Sequence, residues 1–205
     1  MIQKDSEETR SEAARIIANG GIIAFRTDTF YGLGADPLNP EAIRKVKELK
    51  GREDDKPILL LISDLNQVDR FVAQSDFFKL VAARHWPAPL TLIGVSLPHV
   101  PIELTAGTNS LGIRLPDDED VRDFVRVCGG ALTATSANIS GQPPARTAQE
   151  VQSYFPEGLE IIIDAGQVSV SEPSTVVDLS GRDPRVIREG AIPLEELAPI
   201  LSGRP

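Results

Sequence analysis

The run Asn19-Gly20-Gly21-Ile22-Ile23-Ala24-Phe25-Arg26-Thr27-Asp28-Thr29 joins a helix stop, a strand and a polar segment with no linker between them. Asn and Gly accept the left-handed backbone that ends a helix, so residues 19–21 close whatever precedes them. Ile22 to Phe25 is continuously apolar rather than alternating, the pattern of a short strand buried on both faces. Upstream, Ala13, Ala14, Ile16 and Ile17 share one helical face, and Asp5 or Ser6 can cap that helix.

Downstream, Asn39-Pro40 supplies an N-cap and a first helical residue. Ile43, Val46 and Leu49 form the stripe behind them, and Gly51 is placed to end the helix. Pro57 to Ile62 is another continuously apolar strand. Helices are expected from near Ser63 and Ser75, the second ending before Trp86-Pro87-Ala88-Pro89, and a strand runs from Leu90 to Val95. Residues 96–109 have little periodicity and read mainly as loop. Leu111, Ile113 and Leu115 alternate with Gly112 and Arg114, which gives a strand with one polar face. A helix carrying Val121, Phe124 and Val125 comes next, then a strand near Ala131 to Thr135 and a polar loop from Ser136 to Pro144. Thr147 with Glu150 is a capping-box pattern opening a helix that contains Val151 and Phe155. Short strands at 161–163, 175–179 and 185–187 and a helical piece from Ala191 finish the chain. Helices alternate with strands and strands cluster late, which predicts an α/β protein with a mixed sheet, read as a single domain over residues 1–205.

Composition narrows the function. Thirty acidic against 21 basic residues give a net charge of -9, so bulk electrostatic binding to DNA or RNA is not expected. Any contact with nucleic acid is expected to be weak and local, or made by partners. Cys128 is the sole cysteine and His85 and His99 are the two histidines, a poor supply for a disulfide or a protein-held transition metal. No stretch approaches the ~18 apolar residues of a membrane span, and the charged N-terminus lacks a leader's apolar run. A cytoplasmic location, with no membrane partner, is the expectation.

Several polar clusters can carry chemistry. Lys50-Gly51-Arg52, with Lys56 beyond, is either a solvated helix end that complements the dipole or a clamp on triphosphate oxygens. Glu53, Asp54 and Asp55 could neutralise it or hold magnesium through water. Thr135-Ser136-Ala137-Asn138-Ile139-Ser140-Gly141 is either a common Asn/Ser/Gly turn or a loop whose hydroxyls, amide and backbone N–H groups bind phosphate or ribose. Asp28 either caps a turn or organises pocket hydroxyls. Arg114 sits among apolar residues and needs an anion, which is a structural carboxylate or a ligand. Arg188 and Ser174 carry the same ambiguity. There is no GxxxxGK[ST], no GxGxxG and no GxSxG elbow. These clusters favour positioning and charge neutralisation over covalent catalysis, as in phosphoryl or adenylyl transfer.

In this order the clusters resemble the YrdC-like threonylcarbamoyl-AMP synthases, short single-domain bacterial type, over about residues 8–192. The matching segments are Gly21 to Phe25, Thr27 to Gly34, Lys50-Gly51-Arg52, Lys56-Pro57 and Trp86-Pro87-Ala88-Pro89-Leu90-Thr91. Gly112-Ile113-Arg114-Leu115-Pro116, Thr135 to Gly141, Pro173 to Asp178 and Ile187-Arg188-Glu189-Gly190 complete them. The resemblance implies a twisted mixed parallel/antiparallel sheet flanked by helices, with an open concave ligand cleft. It implies an L-threonylcarbamoyladenylate synthase that makes threonylcarbamoyl-AMP and pyrophosphate from L-threonine, bicarbonate and ATP with Mg2+. A tRNA threonylcarbamoyl transferase complex would accept the product for the N6-threonylcarbamoyladenosine modification at position 37 of tRNA. By the same resemblance Lys50, Arg52 and Lys56 would bind phosphates with the metal, and no residue is assigned as a direct metal ligand. Ser110, Ser136, Asn138 and Arg188, with Arg52 and Lys56, would hold the nucleotide. Thr29, Arg114, the backbone at Ala134, and Ser174 would hold threonine.

The chain departs from the family pattern in places. Arg26 stands where the family usually has proline, Ala88 where it has glycine, and Leu61 where some members carry histidine. At 205 residues it is expected to lack the extra C-terminal domain of longer members. Arg26 keeps open one alternative, a diverged relative that binds nucleotide or RNA without synthase activity. A carbamoyl-adenylate-forming domain of hydrogenase-maturation proteins and a purely structural protein are the remaining alternatives.

Overall fold

The computed structural model describes residues 2–51, 56–169 and 172–202. Its strands are β1 (Ile2–Lys4), β2 (Ile23–Arg26), β3 (Tyr31–Gly34), β4 (Leu59–Ile62), β5 (Val72–Ala73) and β6 (Leu90–Ser96). β7 (Ser110–Arg114), β8 (Ala131–Ser136), β9 (Ile161–Asp164), β10 (Thr175–Asp178) and β11 (Arg185–Arg188) complete the set. The helices are α1 (Glu7–Ala18), α2 (Pro40–Lys50), α3 (Asp76–His85), α4 (Ile102–Thr105), α5 (Glu119–Val127), α6 (Ala148–Tyr154) and α7 (Leu194–Ser202).

The strands form one sheet in the order β1-β9-β2-β3-β8-β4-β7-β6-β10-β11, with β5 beside β6. β1 and β2 flank β9 in parallel, as β4 flanks β7 and β10 flanks β6. The β2–β3, β3–β8, β4–β8, β6–β7 and β10–β11 pairs are antiparallel, so the sheet is mixed as expected.

Local signals start the helices. Ser6, Asn39, Ser75, Asp118 and Thr147 each accept a first-turn backbone N–H, a cap contributing about 1 kcal/mol. The box at α6 is shifted, because Glu150 accepts from the N–H of Arg146 rather than from that of Thr147.

Two expectations change, and one segment left without an element proves to be a strand. The segment from Ser63 forms a 3-10 helix over Leu65–Arg70, capped by Asp64. The loop of 96–109 contains the short α4. Tyr31 to Gly34 is a central strand with partners on both sides, although its two glycines argue locally against a strand. Gly34 is there for space: a Cβ would lie 2.8 Å from the Phe25 ring, which crosses it from β2. Pairing on two edges outweighs a weak local preference.

Strand alternation divides the core. Leu33, Leu60, Leu92, Ile113 and Val177 face a large cluster with Ile43 and Val46 of α2, Val81 of α3, Val151 of α6 and Leu197 of α7. Ile23, Phe25, Leu61 and Leu132 face a smaller cluster made with Ala13 and Ile17 of α1 and Val121, Phe124 and Val125 of α5. Each of these large apolar side chains contributes about 1.5–3 kcal/mol when buried. The smaller cluster stops at Leu59 and Leu61 of β4. Beyond it Gly112, Ile93 and Val176, on the same face of β7, β6 and β10, are only partly buried. That uncovered half-face beside α5 is the concave part of the molecule.

Candidate active site on the uncovered sheet face

Register places the strand-borne candidates on one side. Leu61 pairs with both Arg114 and Leu132, and Leu59 pairs with Ala134. Ser110, Gly112 and Arg114 therefore share a face with Ala134 and Ser136, because alternate residues point the same way. Val176 pairs with Thr91 and with Arg188, which brings β6, β10 and β11 to that face as well. Ser110 and Arg114 stand at opposite ends of β7, about 13 Å apart at ~3.3 Å per residue, room for an extended small ligand.

Arg114 is the centre of one group. Its guanidinium is buried, with Nη2 at 2.8 Å from Asp28 Oδ1 and donating to Thr29 Oγ1 at 3.3 Å. The turn that brings Asp28 and Thr29 there is made by their neighbour. Thr27 Oγ1 accepts from the N–H groups of Thr29 and Phe30 and donates to the Phe30 carbonyl. Thr27, not Asp28, caps the turn, so Asp28 is left to face Arg114. Burial, more than the attraction of Arg114 offsets, raises the Asp28 carboxyl above its ordinary range.

Arg188 and Ser174 form a second group. Arg188 Nε and Nη2 donate to the Ser174 carbonyl at 3.2 and 2.8 Å, and the Ser174 hydroxyl lies 3.0 Å from Thr91 Oγ1. Gly190 permits this approach, since a Cβ there would lie 2.2 Å from the Pro173 carbonyl oxygen. Burial, and then the positive charge of Arg114, lower the pKa of Arg188, so the two cations feel each other. Thr91 was not among the expected site residues. Its signal was a lone hydroxyl in the apolar strand of residues 90–95.

The third group is the loop after β8. Lys50, at the end of α2, is 2% exposed, which overturns the solvated-end reading for that residue. Its ammonium donates to the carbonyls of Ser136 and Asn138, and its own carbonyl accepts from Ser140 N. Asn138 Nδ2 donates to Ile139 O and Gln142 O, which sets the amide orientation. Asn138 Oδ1 is left buried without a donor. The loop is thus a shaped backbone cradle rather than a free turn.

Lys56 is exposed just ahead of β4, and Ser110 hydrogen-bonds locally with Thr108. Arg52, with Glu53, Asp54 and Asp55, lies outside the described residues. No cluster of three or more His, Cys, Asp or Glu side chains that could hold a metal occurs among the described residues. Arg26 pairs with Asp118, the cap of α5, at 2.8 Å. Two hollows of about 460 and 550 Å3 lie elsewhere, against α1, and Arg26 lines the second. None of the described helices is long and apolar enough to cross a membrane.

Comparison with known proteins identifies the family. The family model Sua5_yciO_yrdC, described as "Telomere recombination", matches residues 15–190. Threonylcarbamoyl-AMP synthase of Pyrococcus abyssi is 35% identical over 190 residues, covering 92% of this chain and 56% of that protein. This chain therefore spans little more than half of that relative's length. Threonylcarbamoyl-AMP synthase of Idiomarina loihiensis is 36% identical over 172 residues, 82% of this chain and 91% of that protein. The crystal structure of P. abyssi Sua5 complexed with L-threonine superposes with a TM-score of 0.91 at 33% identity, covering 98% of this chain and 60% of that one. With the mixed sheet, the open face and the ordered polar groups, these matches place the chain in the Sua5/YciO/YrdC family.

Proposed function

We propose that this protein is a threonylcarbamoyl-AMP synthase, forming threonylcarbamoyl-AMP and pyrophosphate from L-threonine, bicarbonate and ATP. The observation that carries the reading is that Arg114 with Thr29, and Arg188 with Ser174 and Thr91, lie on the sheet face that no core cluster covers, close enough for the charge of Arg114 to act on Arg188. Two cations, with one carboxylate beside Arg114, leave the site net positive, which suits an amino-acid carboxylate beside a nucleotide phosphate.

In this reading Arg114 holds the threonine carboxylate, while Thr29, the Ala134 backbone and Ser174 hold the rest of the amino acid. Arg188, Ser110 and the Ser136–Gly141 loop hold the nucleotide, with Arg52 and Lys56 toward its phosphates. Lys50 acts through the loop by fixing the Ser136 and Asn138 carbonyls. Threonine takes up bicarbonate at its amine with loss of water. The new carboxylate oxygen then attacks the α-phosphorus, an O–P bond forms, and the bond to the β-phosphate breaks to release pyrophosphate. No side-chain nucleophile is needed, so positioning and charge neutralisation supply the rate.

Magnesium would offset triphosphate charge. The buried acceptor Asn138 Oδ1 fits a metal-bound water or a ribose hydroxyl, not a bare phosphate oxygen, because it can only accept. A tRNA threonylcarbamoyl transferase complex in the cytoplasm would consume the product, since a mixed anhydride needs a ready acceptor. The alternative of a binder without activity rested on Arg26, and the Arg26–Asp118 ion pair gives that residue a place in the scaffold instead.

The test is pyrophosphate release from ATP with magnesium and bicarbonate, with and without L-threonine, followed by mass spectrometry of the product. Threonine-dependent release with an adenylated, carboxylated threonine is expected. ATP binding without turnover would sink the reading.

A further inference from the structure

The Asp28–Arg114 pair is unusual in what it lacks. Both side chains are buried, and Arg114 Nη2 is 2.8 Å from Asp28 Oδ1. Yet neither Asp28 oxygen has a well-directed hydrogen-bond partner, and neither does Arg114 Nε. A buried ion pair offsets its desolvation only when the geometry is good and the remaining lone pairs and protons are satisfied. Here they are not, so the pair is a poor device for stabilising the empty fold. The turn needs nothing from Asp28 either, because Thr27 supplies its hydrogen bonds.

Two roles remain for a buried carboxylate in this position: to touch the ligand, or to act through Arg114. The Asp28 oxygens are sealed from solvent, which argues against direct contact. Arg114, in turn, is repelled by Arg188 and has Thr29 as its other polar neighbour. Without a negative charge behind it, that guanidinium has nothing to hold it in line. We propose that Asp28 is a positioning residue, a buried counter-ion that aims Arg114 at the substrate carboxylate and that the fold keeps at a cost in stability. The proposal rests on Arg114 being the carboxylate clamp of the function proposed above.

The titration of Asp28 has the same sign. Its carboxyl is raised by burial, with Arg114 opposing and the charge of Asp118 adding to the rise. A group whose folded pKa is raised contributes most at low pH, and that contribution is lost as pH rises through the raised value. The ionised form of Asp28 is therefore the one the fold disfavours.

The experiment pairs calorimetric titration of L-threonine with thermal unfolding at neutral pH, on the wild-type chain, Asp28→Asn, Asp28→Glu and Arg114→Met. The expected result is a split. Asp28→Asn unfolds at the same or a higher temperature than wild type, yet binds threonine at least tenfold more weakly, and Asp28→Glu recovers part of the affinity. Unchanged or tighter threonine binding by Asp28→Asn overturns the proposal, the tighter case making Asp28 a competitor of the substrate. A lower unfolding temperature, or a failure to fold, also overturns it by making Asp28 an ordinary stabilising partner. If the wild-type chain binds no threonine, or Arg114→Met binds it as well as wild type, the functional reading fails and this proposal falls with it. Loss in Arg114→Met with retention in Asp28→Asn removes the proposal alone.

Discussion

Lys50 and Arg114 are buried to almost the same degree, 2% and 3% exposed, and are held in opposite ways. Lys50 donates to neutral backbone carbonyls of a loop that α2 approaches end-on. Arg114 has a full negative charge beside it but poorly directed hydrogen bonds. The first arrangement gives the buried ammonium two acceptors and the Asn138 carbonyl a donor, so it stabilises. The second leaves groups waiting, so it costs stability and is suited to a ligand. Burial alone does not say whether a cation belongs to the scaffold or to the site, whereas the completeness of its hydrogen bonding does.

The hardest test of that contrast is Lys50→Met. It removes a donor from both carbonyls, of which Ser136 O keeps the Asn138 N–H, so a loss of about 1–3 kcal/mol is expected in denaturant unfolding. Unaltered stability would erase the distinction. Arg114→Met is expected to keep the fold while weakening threonine binding about 10- to 100-fold, from charged hydrogen bonds of about 1.5–3 kcal/mol, read by calorimetry. Arg26→Ala removes the pair to the α5 cap, and about 1 kcal/mol or less of stability should go with this partly exposed bridge. Its effect on threonine affinity should be small, because Arg26 is engaged by Asp118 rather than by the Arg114 group, and a large effect would restore Arg26 to the site.

The smallest effect lies at the sheet's edge. Burial pushes the Asp178 carboxyl upward, but hydrogen bonds from Ser180 and from Arg185 outweigh it and hold it below the usual range. A lowered folded pKa gives stability that is present above the ordinary carboxylate value and lost as pH falls through the lowered one. The acid limb of a stability profile should therefore shrink slightly in Arg185→Ala. The change should be slight because Arg185 itself is largely exposed.

Most elements were legible in the sequence because their causes are local. Of Asp5 and Ser6 it is Ser6 that caps the first helix, Asn39, Ser75 and Thr147 cap theirs, and the strands expected at Ile22 to Phe25 and Leu90 to Val95 are found as Ile23–Arg26 and Leu90–Ser96. β3 was not legible, since its two glycines argue against a strand until the Phe25 ring explains the space they leave. Among the candidate residues, Arg114 bonds Thr29 and Arg188 bonds Ser174 on the open face, while Asp28 and Thr91 were under-read. Each of those two looks ordinary until its partner is known.

The sequence by itself determined the alternation of helices and strands, the caps and the polar clusters at strand ends, because periodicity and capping act over a few residues. Only the tertiary structure decided that Lys50 closes on a loop 86 residues away, that Arg114 faces Asp28, and that half of one sheet face stays open. Partner choice depends on strand order and register, and a shift of one residue in either β7 or β8 would turn their site residues to the other face.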